Sequence, residues 1–206
     1  MTGADIKSIF YTLWDTSQSG KFADAKLNQI IEKAQVEYLY SLMNNYGLNE
    51  AVQEEAGTYL VAFITNPVSN QLDITSGSTM LPNFERLIAL ASKYVKNGVT
   101  YYQYARQLKD EEKISPLKGS VLYPKYDYTN EYIRLYPQDE TCLETRGTYF
   151  RAIFTIDVTD NTTDLPFTQK NAQSIINNAL NIAAQITRED GYYQMTENEN
   201  RQDNIN

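Results

Sequence analysis

At 206 residues with 42% apolar side chains, the chain is long enough to bury a core without disulfide or metal staples. A single cysteine, Cys142, excludes an intramolecular disulfide, and the absence of histidine excludes the usual zinc sites and histidine-assisted nucleophiles. The net charge of −8 argues against a nucleic-acid-binding surface, which would be basic.

The first residues, MTGADIKSIFYTLWD, have neither the basic start nor the apolar stretch of a signal peptide. No apolar run approaches the ~20 residues a membrane span requires. Residues 4–14 read as a short amphipathic helix, with Ile6, Ile9, Phe10 and Leu13 on one face and Trp14 at its end. DTSQSG, residues 15–20, is a loop by composition. A long helix follows over about 24–45. Leu27, Ile30, Ile31, Ala34, Tyr38, Leu42 and Met43 make one apolar stripe along it. Asp24 is the expected start cap and Gly47 the expected left-handed C-terminal cap. Asn49 is placed to cap a second helix over 50–64, whose stripe is Val52, Ala56, Tyr59, Leu60 and Phe63 and which ends before Asn66-Pro67. The short link between the two predicts an αα-hairpin.

Beyond Pro67 the period changes from 3.6 to 2. Gln71–Thr75 alternates, and Met80-Leu81-Pro82 opens a new element. Arg86–Val95 and Val99–Leu108 flank Lys96-Asn97-Gly98 and predict a β-hairpin, because Asn and Gly both tolerate positive φ. By propensity alone RLIALASKYV also fits a helix. Lys109–Lys113, KDEEK, reads as a solvated charge run, Tyr132–Tyr136 as a strand, and Thr148–Val158 as the best strand of the chain. Asp164–Pro166 leads to a helix capped by Thr168, with Ala172, Ile175, Ile176, Ala179, Ile182, Ala183 and Ile186 on one face, ended by Gly191. The tail Tyr192–Asn206 has no period. It reads either as a disordered end or as an arm that orders on a partner.

The expected fold is therefore α+β, in four segments. These are an N-terminal helical hairpin region (1–66), a central antiparallel β-domain built as a small sandwich or barrel-like sheet (67–160), a C-terminal helix packing back on the helical region (161–191), and a flexible or partner-bound tail (192–206).

No chemistry-bearing motif stands out. There is no Gly-rich phosphate loop and no G-x-S-x-G or S-x-x-K context. Asp157, Asp160, Asn161 and Asp164 have oxygen ligands for calcium, but their spacing does not match an EF-hand loop. The expectation is a non-enzymatic protein without cofactor or metal. The seventeen tyrosines fit either strand filler or interface anchors. The candidate subunit contacts are Trp14, the Asn97-Gly98 tip, and Tyr192, Tyr193 and Met195 of the tail.

FADAKLNQIIEKAQVEYLYSLMNNYG, with Phe22, Asp24, Leu27, Asn28, Ile31, Ala34, Gln35, Glu37, Tyr38, Tyr46 and Gly47, resembles the N-terminal signature of a group of tailed-phage structural proteins, especially those of crAss-like phages of gut Bacteroidales. The Leu-Pro entry Leu81–Leu87 resembles the same group. So does the succession Tyr123-Pro124, Tyr132–Pro137, Tyr149–Ile153 and Asn171–Ile186. The likeness spans about 22–188; the acidic, Asn-rich tail departs from it. It implies a head-to-tail connector or neck ring protein. Such a protein forms a homo-oligomeric ring, usually twelvefold to match the portal, and joins portal to tail. Its partners are copies of itself, the portal and other neck or tail proteins. Genomic DNA passes through without specific binding, and no membrane is involved. The protein would be made in the host cytoplasm and used in the virion, where acidic residues lining the channel would keep DNA from sticking. The alternatives are another virion component, such as a tail-completion or capsid-associated protein, and a small carbohydrate-binding module.

Overall fold

The computed structural model describes residues 1–14, 21–48, 50–113 and 119–203, and from Glu189 onward it describes the backbone alone. The predicted loop at 15–20 and the predicted cap Asn49 lie outside the described residues. The class is α+β. The chain divides into a helical unit, Met1–Thr58 with Ile153–Asn206, and a β-unit, Tyr59–Ala152.

In the helical unit, α1 (Gly3–Leu13) starts with a capping box between Thr2 and Asp5. Ile6 and Phe10 are fully buried, while Leu13 is exposed. The long helix α2 (Asp24–Asn45) buries the whole predicted stripe. Asp24 does not cap it. Ala23 holds the cap position with no side-chain bond, and Asp24 instead pairs with Lys7 at 2.6 Å. Gly47 is not left-handed either, since the helix ends on Tyr46 in right-handed geometry. The short helix α3 (Glu50–Ala56) gives way to a 3-10 turn, Gly57–Tyr59. The expected helix over 50–64 therefore stops early, and its second half becomes a strand. The last helix, α5 (Gln169–Asp203), does not end at Gly191. Glycine in a helix interior costs about 1 kcal/mol, and the Gln, Met, Glu and Arg that follow propagate a helix readily. The tail expected at 192–206 is thus helical backbone as far as Asp203. α5 packs along α2 and α1 through Ala172, Ile175, Ile176, Ala179 and Ala183, all buried.

Asn171 joins these helices. Its side-chain amide donates to the Tyr38 hydroxyl and to the Glu55 carbonyl, both at 2.9 Å. Its oxygen accepts from the hydroxyls of Thr58 and Thr168, at 3.1 and 2.6 Å. Thr168 caps α5 as expected, accepting from the Asn171 N–H at 3.1 Å. Burial pushes the Tyr38 phenol up to about 12, and its hydroxyl donates to Glu55 at 2.8 Å.

The β-unit holds two four-stranded sheets. The first runs β1 (Leu60–Thr65), β8 (Cys142–Arg151), β3 (Phe84–Lys96), β4 (Val99–Tyr104), all antiparallel. The second runs β2 (Gln71–Asp73), β7 (Tyr132–Tyr136), β6 (Lys125–Tyr128), β5 (Arg106–Gln107), in which β5 and β6 are parallel. Between them lies a core centred on Leu72, Leu90, Tyr94, Ile133, Leu135 and Tyr149. Of the two forms expected, small sandwich or barrel-like sheet, the two separate sheets make the sandwich, antiparallel except at β5–β6. RLIALASKYV is strand, not helix. The strand expected at 148–158 is displaced: β8 starts at Cys142 and ends at Arg151. Its partners β1 and β3 reach only to Leu60 and Phe84, so residues past 151 have no ladder to join.

The charge run at 109–113 is a short helix, α4 (Asp110–Lys113), with a definite role. Arg106 and Lys125 lie opposite each other across β5 and β6. The Glu112 carboxylate accepts from both, at 3.0 Å from Arg106 Nη1 and 2.8 Å from Lys125, and also from the Lys109 N–H. Arg106 first, then Lys125, hold the Glu112 carboxyl down from 4.5 to about 2. A carboxyl lowered by folding contributes stability that is present above its unfolded value and is lost as pH falls through the folded one. Glu112→Gln is therefore expected to lower the melting temperature at pH 7 and to flatten its decline between about pH 4.5 and 2. An unchanged pH profile, read by calorimetry, would contradict this role.

Candidate interaction surface

The predicted hairpin forms, but its second strand stops at Tyr104 and not at Leu108, because Arg106–Gln107 pairs with β6 in the other sheet. Lys96 pairs with Val99, and the two-residue loop holds Asn97 at φ 51° and Gly98 at φ 76°, the left-handed pair of a type I′ turn. Along β4 the period of two sends Tyr101 toward the core and Tyr102 and Tyr104 to the outer face, where they are 50% and 82% exposed. Registry carries this face across the sheet. Tyr104 lies opposite Ala91, Ala91 opposite Arg146, and Arg146 opposite Ile64, which is 70% exposed.

Tyr102 is fixed by charge. The Lys93 ammonium and the Arg146 guanidinium each lie 5.2 Å from its ring centre. Arg146 is oriented by an ion pair with Glu144. The Tyr102 hydroxyl is the main cause holding the Lys93 ammonium above its ordinary value, and Arg146 holds the Glu144 carboxyl below its own. Two depressions flank Tyr104. One, of about 370 Å³, is lined by Ala91, Tyr102, Gln103, Tyr104 and Arg146. The other, of about 220 Å³, is lined by Gln103, Tyr104, Arg106, Leu122, Tyr123 and Pro124. Tyrosine and arginine around an exposed apolar centre form the composition that protein interfaces favour.

The sequence-predicted contact residues are distributed differently. Asn97 and Gly98 sit at the hairpin tip beside this face. Trp14 belongs to the helical unit, where it stacks on Phe10 at 5.9 Å and leans on Phe22 at 5.6 Å. Those contacts give it a packing role within the fold. Tyr192, Tyr193 and Met195 lie on the helical backbone of α5, and their side chains are outside the described residues. Sequence pattern alone does not single out Tyr102, Tyr104 and Arg146. The alternation in VTYYQY was the available signal, but it identifies a face without saying which one is open.

The signature segment is structural where it is described. Leu27, Ile31, Ala34 and Tyr38 are core, and Asn28 accepts from the Val158 N–H at 2.9 Å. Of the three carboxylates among the calcium candidates, Asp164 pairs with the Met1 ammonium at 2.9 Å and the other two cap their own turns. Asp157 accepts from the N–H and hydroxyl of Thr159, and Asp160 from those of Thr162. Among the described residues no group of three or more Cys, Asp or Glu is placed to hold a metal ion, and no helix is long and apolar enough to cross a membrane. The Cys142 thiol is buried, and burial raises its pKa, which suppresses the thiolate. No model of a known protein family matches this chain, and no curated protein matches it.

Proposed function

We propose that this protein is a structural, self-assembling component of a tailed-phage virion, a ring in the neck that joins portal to tail and through which DNA passes. The observation that carries the reading is the exposed tyrosine face of the β3–β4 hairpin, beside a turn built to project. The resemblance of residues 22–188 to phage neck proteins gives that surface its setting. The net charge of −8 supports passage of DNA without adhesion. Copies meeting head to tail close into a ring when their rotation closes, and a twelvefold ring matches the portal.

The same tyrosines are the basis of the carbohydrate-binding alternative. Sugar stacking needs a free aromatic face, and Lys93 and Arg146 already lie over Tyr102, which leaves Tyr104 and Tyr123 to serve that alternative.

Replacing the tip, Asn97→Ala with Gly98→Ala, tests the reading in particles. Nothing lies within 4 Å of a methyl group added at Gly98, so the cost there is local backbone strain at positive φ. Purified particles are expected to contain the parent chain stoichiometrically and the variant at severalfold lower occupancy, with infectivity reduced in step. Absence of the parent chain from particles contradicts the function. Unchanged occupancy and infectivity of the variant remove the tip from the contact.

A further inference from the structure

We infer that the β1–β8–β3–β4 sheet continues from one copy of the chain to the next, the β4 edge of one copy pairing antiparallel with the β1 edge of its neighbour. This rests on the reading of the chain as self-assembling, but not on where the assembly sits.

The two sheets of the β-unit treat their edges differently. In the second sheet the edges are β2, three residues with Asp73 at its end, and β5, two residues beginning with Arg106. Short, charged edges block further pairing. In the first sheet the edges are β1 and β4, each six residues long. LVAFIT and VTYYQY contain no charge, proline or glycine, and neither the β1–β8 nor the β3–β4 ladder is interrupted by a bulge. Both are rich in branched and aromatic residues. Two edges that pair with no further described strand are a template for another strand at each side.

The backbone parity of the two edges matches. The two-residue loop makes Lys96 and Val99 a bonded pair, and bonded pairs then alternate along the ladder. The Ala105 N–H donates to the Leu90 carbonyl at 2.8 Å, in phase with that alternation. The N–H and C=O groups of Thr100, Tyr102 and Tyr104 therefore point away from β3. Carried across the sheet, the same alternation turns Ala91 and Lys93 toward Arg146 and Glu144 of β8. It then turns Thr145 and Gly147 toward Thr65 and Phe63 of β1, leaving the backbone groups of Leu60, Ala62 and Ile64 outward.

Directly opposite residues share a face of the sheet. Tyr102, Tyr104, Ala62 and Ile64 are all exposed residues of the outer face. Joining β4 to a neighbour's β1 thus keeps the outer faces on one side and the cores on the other. Three successive antiparallel pairings make β1 and β4 run in opposite directions, so the joint itself is antiparallel. Full overlap sets Thr100 against Ile64, Tyr102 against Ala62 and Tyr104 against Leu60, with about six backbone hydrogen bonds. A bulky ring then meets a methyl group at the centre. A symmetric β4–β4 pairing leaves the equally unprotected β1 edge uncovered, whereas the head-to-tail joint uses both.

Paired cysteines test the register. Opposed Cα atoms in a bonded pair are about 5.5 Å apart, within disulfide range. A chain carrying both Ala62→Cys and Tyr102→Cys, oxidised at high protein concentration, is expected to give a ladder of multimers on non-reducing gels. Each single variant is expected to remain monomeric. If that pair melts abnormally when reduced, Ile64→Cys with Thr100→Cys reads the same register. Dimers from Tyr102→Cys alone would overturn the proposal in favour of symmetric pairing. A double variant no more cross-linked than the singles would overturn it outright. Rings seen by electron microscopy without cross-links sink the edge pairing and leave the ring standing. Cross-linked multimers of a chain that never enters particles keep the pairing and sink the neck reading.

Discussion

Gly147→Ala is expected to destabilise the β-unit by about 3 kcal/mol or more, because the strands on either side of Gly147 leave no room for a side chain. Gly147 lies in β8 between Phe63 of β1 and Leu90 of β3. A methyl carbon added there would sit 2.1 Å from the Ala89 carbonyl oxygen and 3.0 Å from the Phe63 ring. The first neighbour is backbone and cannot swing aside, so the central ladder must shift. For a chain of this size the loss corresponds to a fall of roughly 6–12 °C in melting temperature. Gly77→Ala is the control: nothing lies within 4 Å of the added carbon, and its melting temperature is expected to stay near the parent value. Equal melting of the two variants would show that β8 does not approach its neighbours so closely.

Ile31→Asp carries the second large effect, in the helical unit. Ile31 is fully buried on α2, among residues that pack against α5. The aspartate would lose its hydration, and no described cation is paired with that stretch of the stripe. The cost exceeds about 4 kcal/mol, enough to unfold a marginal unit. Far-ultraviolet circular dichroism is expected to show loss of helix, while Ile31→Val is expected to melt within about 1.5 kcal/mol of the parent. A normally melting Ile31→Asp chain would contradict burial of this face.

Much of the fold was legible where local chemistry decides it. The stripe from Leu27 to Met43 stated the buried face of α2, and Thr168 stated the start of α5. Asn97-Gly98 stated a turn, since few other pairs accept φ values of 51° and 76° in succession. What was not legible depends on residues far away in sequence. LVAFIT fits a helical stripe or a strand equally well, and its partners at Thr145–Phe150 decide. The extent of β8 is likewise set by the ends of β1 and β3, not by the branched run that continues to Val158. Asp24 satisfies the rule for a cap, yet an ion pair with Lys7 places it one position inside the helix. The polar tail has no apolar face to predict a helix, but its individual propensities extend α5 past Gly191.

The candidate surface was half legible for the same reason. Alternation marked Tyr102 and Tyr104 as sharing a face, and only the sandwich identifies that face as the open one. Arg146 reaches Tyr102 through a strand more than forty residues later in the chain, a relation no local pattern encodes. The tyrosines differ in burial in a way their sequence context does not announce. Tyr94 and Tyr149 fill the core, and Tyr102, Tyr104 and Tyr123 stand in solvent.

As a ring-forming structural protein of a phage neck, the role we propose for it, this chain should assemble on a portal. Electron microscopy of the purified protein mixed with the portal of the same particle tests it most directly. The expected result is a closed ring of copies stacked on the portal, coaxial with it and of matching symmetry, with the β-units in contact around the ring. Isolated monomers beside bare portal rings, at protein concentrations well above those of the portal, would contradict it.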